Sequence, residues 1–322
     1  MRCVSVFISA LALLFVLTMG NVSASLSELE SDVTNLSFLV NQPMLYGDVD
    51  VFLGQNKRRH GGGGRVWTNV YYGDSRLKPK GIEEVERLNP RFYGLQVGFD
   101  LGKPRGVHTT HFFNVNRSTI RLSEGKSTVD NYHLGFGKFR YFEMAQFAFV
   151  GSIGYDRYEI SSEETNRGDG LQTSLFGEFG LNFPLGQQWA FKPFYALQYC
   201  FLYQGRIGER RGRNDHGLNQ MLGWRLDWQP LHQWQFQSRA IWVRELLRNP
   251  PPFYQARFSP IHGINTPAIM FYDGNTGRDY AWLGLGARLE CTLNVYLFLD
   301  YDVLLNLRHI THLGSVGFLL GW

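Results

Sequence analysis

Residues 292–305, TLNVYLFLDYDVLL, keep two kinds of side chain apart for their whole length. One set is Leu293, Val295, Leu297, Leu299, Tyr301, Val303 and Leu305; the other holds Asn294, Asp300 and Asp302. A period of two is that of a strand with one apolar face. Residues 191–204, FKPFYALQYCFLYQ, alternate in the same way, with Phe191, Pro193, Tyr195, Leu197, Tyr199, Phe201 and Tyr203 on one side. Such runs outlast the strands of globular domains, which are usually about 5–6 residues, and suit a tilted membrane strand, which needs about 9–11. The end of the sequence, HLGSVGFLLGW, puts Val316, Phe318, Leu320 and Trp322 on alternate positions. An apolar face carried that far along must be covered. In a soluble sandwich or a ligand-binding barrel the covered face points inward. Here the second face is repeatedly Gly, Asn, Gln, Asp, Glu, Lys or Arg, so the apolar face is the outer one and lipid covers it.

Twelve segments carry this alternation: 65–74, 90–101, 106–115, 128–141, 145–160, 168–184, 188–204, 217–230, 231–248, 277–290, 292–304 and 312–322. Their connections alternate too. Short ones fall at 102–105, 142–144, 184–188, 229–233 and 290–292; longer polar ones at 75–89, 116–127, 161–168, 205–216 and 249–276, with a brief one around 306–311. Short turns on one side and long loops on the other mark an outer-membrane barrel. The expected fold is all-β: a twelve-stranded antiparallel transmembrane barrel, closed so that no strand edge is left unpaired.

The N-terminus agrees with export. Residues 1–24 have Arg2 as a positive start, an apolar stretch from Val6 to Val16 and a small-residue cleavage site at Val22-Ser23-Ala24, the pattern of a secretory signal peptide. The expected location is the outer membrane, reached through the periplasm. Thirty-six glycines, 15% aromatic residues and a mean hydropathy of only -0.22 fit strands that are apolar on one side. A formal charge of +4 gives no case for nucleic acid. Cys200 and Cys291 both sit in strand-like patterns and read as two unpaired thiols, with a single disulfide as the alternative.

Residues 25–64 separate the signal from the barrel, 65–322. Leu26, Leu29, Val33, Leu36, Leu39 and Val40 follow helical spacing, and Pro43 would end the helix. Two readings stand: an amphipathic helix that lies in the lumen as a plug or linker, and a periplasmic tail. Residues 45–54 have the look of a short strand. The Gly run 61–64 lacks the Lys-Ser/Thr of a phosphate-binding loop and reads as a joint.

No catalytic pattern emerges. His108 and His111 lie three apart and so point to opposite faces, as do His309 and His312. There is no G-x-S-x-G, no H-E-x-x-H and no paired-cysteine metal spacing. The reading is a non-enzyme with no cofactor and no metal site. Polar residues expected on the lumen or rim are Glu178, Lys192, Arg225, Arg288, Asp300 and Asp302, with Glu143, Arg239 and Glu290 beside them. On the lipid face at mid-depth a basic charge would cost about 2–4 kcal/mol. Asp300 and Asp302 share a face, and Arg288 is the arginine that the pattern offers them. The arginines of 205–216 could meet anionic sugar or phosphate groups, or simply be solvated.

Several segments in order resemble the β-domain of autotransporters, the type V secretion family: RVWTNVYYGD (65–74), FYGLQVGFDL (92–101), VDNYHLGFGKF (129–139), LQTSLFGEFGLNFPLGQQWAFKPFYALQYCFL (171–202) and GLNQMLGWRLDW (217–228). The resemblance implies a monomeric barrel that places an N-terminal passenger outside the cell and leaves a linker helix in the lumen. It also implies that Val316, Phe318, Leu320 and Trp322 form a signal read by the barrel-assembly machinery, with outer-membrane lipids and secretion machinery as the other partners. Residues 25–64 leave no room for the long β-helical passenger of most members. Three functions follow as expectations: a translocator with a vestigial passenger, a passive or plugged barrel, and a surface adhesin using 249–276.

Overall fold

The computed structural model describes residues 64–77, 91–102, 107–122, 125–142, 144–161, 165–206, 213–249, 279–292, 295–306 and 309–321. They form twelve strands: β1 Arg65–Leu77, β2 Arg91–Gly102, β3 Val107–Leu122, β4 Gly125–Tyr141, β5 Ala145–Ser161, β6 Thr165–Leu181, β7 Trp189–Gln204, β8 Arg213–Leu231, β9 Trp234–Asn249, β10 Asp279–Thr292, β11 Val295–Leu305 and β12 His309–Gly321. A short piece, Phe183–Leu185, continues β6 past Asn182 and pairs with the start of β7.

Each strand is antiparallel to its sequence neighbours, and β1 pairs with β12 from Arg65↔Gly321 to Leu77↔His309. The ring is therefore closed, and every strand finds backbone partners on both sides. That is the condition for crossing hydrocarbon with strands. At the short-turn end, β6 returns to β7 through Gly186, whose φ of 79° is one a side chain would resist.

The alternation read from sequence is the in–out pattern of the wall. Val97, Leu134, Ile153, Leu285, Leu299 and Val316 are exposed on the outside, while Gln96, His133, Ser152, Gly284, Asp300 and Ser315 stand at the neighbouring inner positions. Aromatic side chains gather on the outer face towards both ends. Trp189 and Trp228 stack at 5.3 Å, and Trp234 and Phe236 at 5.9 Å, near the short turns. Tyr72, Tyr93, Tyr132, Tyr155, Tyr203 and Tyr301 are exposed towards the other end. Rings with a polar tip favour the two membrane interfaces, so the two girdles bracket the apolar band.

The inner face also holds an apolar layer: Trp67, Phe112, Phe139, Phe176, Phe194 and Trp282 belong to one buried cluster. Glycines stand beside the rings of this cluster and of a second one that holds Tyr71, Phe92 and Leu313. A Cβ on Gly98 would meet the Trp67 ring at 2.2 Å, and one on Gly94 would meet the Tyr71 hydroxyl at 1.9 Å.

The structure corrects the expected loops. β3 runs to Leu122 and β4 resumes at Gly125, so most of 116–127 is strand; β5 and β6 likewise leave only 162–164 between them. The polar residues there still alternate, Asn116 and Ser118 inward, Arg117 outward. Arg117 and Asp130 face each other on β3 and β4 and pair by two bonds of 2.5 and 2.8 Å. The strands simply continue beyond the apolar band. Residues 1–24, 25–63 and 250–276, with the helix, strand and loop expected in them, lie outside the described residues, as do Glu143 and Trp322 and the side chains of His108 and His309.

Candidate functional site: the charged lumen wall

Six of the residues singled out for the lumen or rim are buried on the inner face: Glu178 on β6, Lys192 on β7, Arg225 on β8, Arg288 on β10, and Asp300 and Asp302 on β11. Arg239 on β9 is buried there too, Glu290 near the end of β10 is half-buried, and Glu143 lies outside the described residues. Glu178, Lys192, Arg225 and Arg288 lie nearer the short-turn ends of their strands, Asp300 at mid-strand and Asp302 nearer the outer end. Their strands bring them together through register. Arg225 makes a two-pronged pair with Glu178, at 2.8 and 2.7 Å. These residues are two strands apart, and the intervening position opposite Glu178 on β7 is Ala196. A larger side chain there would block the bond. Arg225 also lies 3.9 Å from the centre of the Phe194 ring, a cation–π contact that covers its face. Gln146 of β5 donates to Glu178 at 3.2 Å.

The same device recurs on the other side. Arg239 of β9 reaches Asp302 of β11 with bonds of 2.8 and 2.5 Å, across Gly284 of β10. A Cβ on Gly284 would sit 2.2 Å from the Asp302 carboxylate and 2.3 Å from the Arg239 guanidinium. Trp282 Nε1 donates to Asp302 at 2.8 Å, and Asp300 lies 3.6 Å from Arg239. The sequence offers Arg288 to these acids; the structure places Arg239 beside them. The signal for it was present, since Arg239 has the inward parity of Gln235 and Gln237. What sequence lacked was the register that sets a glycine between the partners.

Lys192 bonds to Asp227, and Gln237 donates to the other oxygen of Asp227 at 2.8 Å. Arg225 and Arg239 stand opposite each other in the β8–β9 ladder, each facing its own acid. The result is a band of paired charge from β6 to β11. Arg65 and Asp100, both buried, face each other across β1 and β2 at the same end.

Nearer the long loops the inner wall is mostly uncharged. Asp156 accepts from Asn131 at 2.5 Å and from Tyr158 at 3.1 Å, with His133 3.7 Å away. Gln198 donates to Ser174, which also meets the free thiol of Cys200 at 3.5 Å. Sequence reading missed this cluster, because Asn131 and Asp156 become neighbours only through the β4–β5 register. Outside, His111 stacks on Phe99, and the Tyr301 hydroxyl lies 2.8 Å from the ring nitrogen Nδ1 of His312. Val316, Phe318 and Leu320 are exposed along the outer face of β12. Cys291 is also free and exposed near the short turns. Among the described residues no group of three or more His, Cys, Asp and Glu is placed to hold a metal ion.

A family model for the autotransporter beta-domain matches residues 66–302. The chain belongs to that family. Solved structures agree on the fold. The translocator domain of the autotransporter NalP from Neisseria meningitidis matches with a TM-score of 0.70 at 16% identity, over 90% of this chain and 99% of that one. The beta domain of the Bordetella autotransporter BrkA gives 0.61 at 15%, over 81% and 100%. The transport unit of AIDA-I from Escherichia coli gives 0.57 at 13%, over 83% and 92%. No curated protein matches the chain. This autotransporter β-domain is an outer-membrane barrel, reached after periplasmic transit. Its short turns thus face the periplasm and its longer loops the outside.

Proposed function

We propose that this barrel translocates the segment directly ahead of it, residues 25–64, and that the charged band of the lumen wall seats that segment. The observation that carries the reading is the place of Arg65. It opens β1 at the periplasmic rim, buried and opposite Asp100, so the chain before it starts at the periplasmic mouth of the lumen. Such a segment reaches the outside only by passing through the barrel. The band offers it amide and carboxylate partners, while the intramural pairs keep the wall's own charges satisfied. Lipids of the outer membrane surround the apolar band. Val316, Phe318 and Leu320, with Trp322, serve as the recognition signal for the assembly machinery, because Val316, Phe318 and Leu320 present an apolar outer face on the strand that closes the ring.

The test is an epitope tag after Ser27 with protease shaving of intact cells. Cleavage of the tag while a periplasmic marker survives is expected. Protection of the tag until the outer membrane is broken overturns the reading.

One observation favours a closed resting state over an open pore: the inner-face aromatics Trp67, Phe139, Phe176 and Trp282 are each 5% exposed or less. Deleting residues 26–62 should raise single-channel conductance several-fold; unchanged conductance would remove this second reading.

A further inference from the structure

On the outer surface, β4 to β7 line up one residue each in a row, Tyr132–Tyr155–Leu171–Tyr203. These belong to the girdle at the long-loop end. Just above the row lies a groove of about 860 Å³ whose lining includes Arg157, Arg167 and Arg206 against the single carboxylate of Asp169. Asp169 is already engaged: it accepts the Tyr155 hydroxyl. Arg167 is held by Glu159 at 3.2 Å through one nitrogen, and its side chain is 63% exposed. A guanidinium carries five N–H donors in a planar fork, so one such contact leaves most of its donors for a further acceptor. The groove is basic, faces outward and sits at the water edge of the membrane.

Directly below the row the surface dips. A second hollow of about 910 Å³ is lined by Leu134, Phe136, Ile153 and Leu175, with Gly151 between them. Gly151 adds no side chain to the outer face; a Cβ there would lie 2.9 Å from Phe136 and 3.4 Å from Leu175. The two hollows are adjacent along the strands: Ile153 precedes Tyr155, and Thr173 follows Leu171, at the next outward positions. A cationic cup therefore stands above an apolar trough, separated by the height of one aromatic row. An anion alone has no use for the trough, and an acyl chain alone has no use for the arginines.

We propose that this surface is a binding site for a phosphate-bearing lipid of the outer leaflet, with its phosphate in the arginine cup and an acyl chain in the trough. The inference rests on the barrel lying in the outer membrane with its long loops outward. Arg157 and Arg206 are its phosphate ligands, and Arg167 is kept in place by Glu159. Leu171 and the tyrosines mark the boundary between head group and chain.

The test uses the full chain refolded in detergent micelles, with native mass spectrometry to score bound diphosphoryl lipid A and its fully dephosphorylated counterpart. Folding of each variant is checked by the migration shift of unboiled against boiled samples. The wild type should retain the phosphorylated lipid at least tenfold better than the dephosphorylated one. R157Q/R206Q should lose that preference, whereas R117Q, another rim arginine outside the groove, should keep it. L171W, which fills the boundary and leaves every charge in place, should lower retention of the phosphorylated lipid at least threefold. Equal retention of both lipids, an unchanged R157Q/R206Q, or equal losses in R157Q/R206Q and R117Q would each overturn the proposal. So would displacement of the lipid by millimolar inorganic phosphate, which would make the cup a free-anion site.

Discussion

Arginine–carboxylate pairs occur on both sides of this wall, and the two sets differ in what surrounds them. In the lumen, Arg225 and Glu178 are 1% and 0% exposed, and Arg239 with Asp302 is nearly as dry. On the outer rim, Arg117 and Arg167 are 49% and 63% exposed although each also meets a carboxylate. The same chemistry does different work. A buried pair gains little net energy over apolar side chains, but removing one partner strands a charge. An exposed pair is screened by water and salt and contributes little either way. The inner pairs therefore fix which strands stand at which register, since each spans two strand spacings across Ala196 or Gly284. The outer pairs are replaceable, and their arginines remain open to other anions.

Several substitutions would break or sharpen this contrast, in falling order of effect. E178A leaves Arg225 without its acid and should destabilise the refolded barrel by about 3–5 kcal/mol, read as a shift in urea midpoint by gel migration. A loss under 1 kcal/mol would mean that the lumen is wet at this height. V316K puts a charge on the lipid face of β12 and should cost about 2–4 kcal/mol in vesicles; in the same assay V316I should be neutral. G98V drives a side chain into the Trp67 ring and should cost about 1–3 kcal/mol, partly restored when Trp67 is replaced by Leu. R117A removes an exposed pair and should change stability by only about 0.2–1 kcal/mol, a difference that half-molar salt abolishes. A salt-resistant effect at Arg117 as large as that at Glu178 would erase the distinction between the two faces.

Much of this was legible in the residues because strand parity is a local property. Leu297, Leu299 and Tyr301 can only share a face, and Asp300 and Asp302 can only share the other. All twelve strands were placed to within a few residues at their periplasmic ends, where Trp, Phe and short turns coincide. The outer ends of β1, β3, β4, β6, β8 and β12 were read short, because polar stretches such as 116–122 and 125–127 were taken for loop, whereas the strands continue there on side-chain pairing such as that of Arg117 with Asp130. Partners were the harder part. Arg239 meets Asp302 only because β9, β10 and β11 are held in one register with a glycine in the middle, and no single strand carries that information. The outer groove was invisible for the same reason: Arg157, Arg167 and Arg206 come from three strand ends, and Gly151 looks like any other glycine until its neighbours are known.

Cys200 and Cys291 give the protein a built-in gauge. Cys200 is buried in the lumen wall beside Ser174, and Cys291 is exposed at the periplasmic edge. A reagent supplied from the periplasmic side meets Cys291 at once, whereas its rate at Cys200 reports how much of the bore is filled at that moment. The ratio of the two labelling rates would follow a segment moving through the channel in real time, with no residue of the wall altered to observe it.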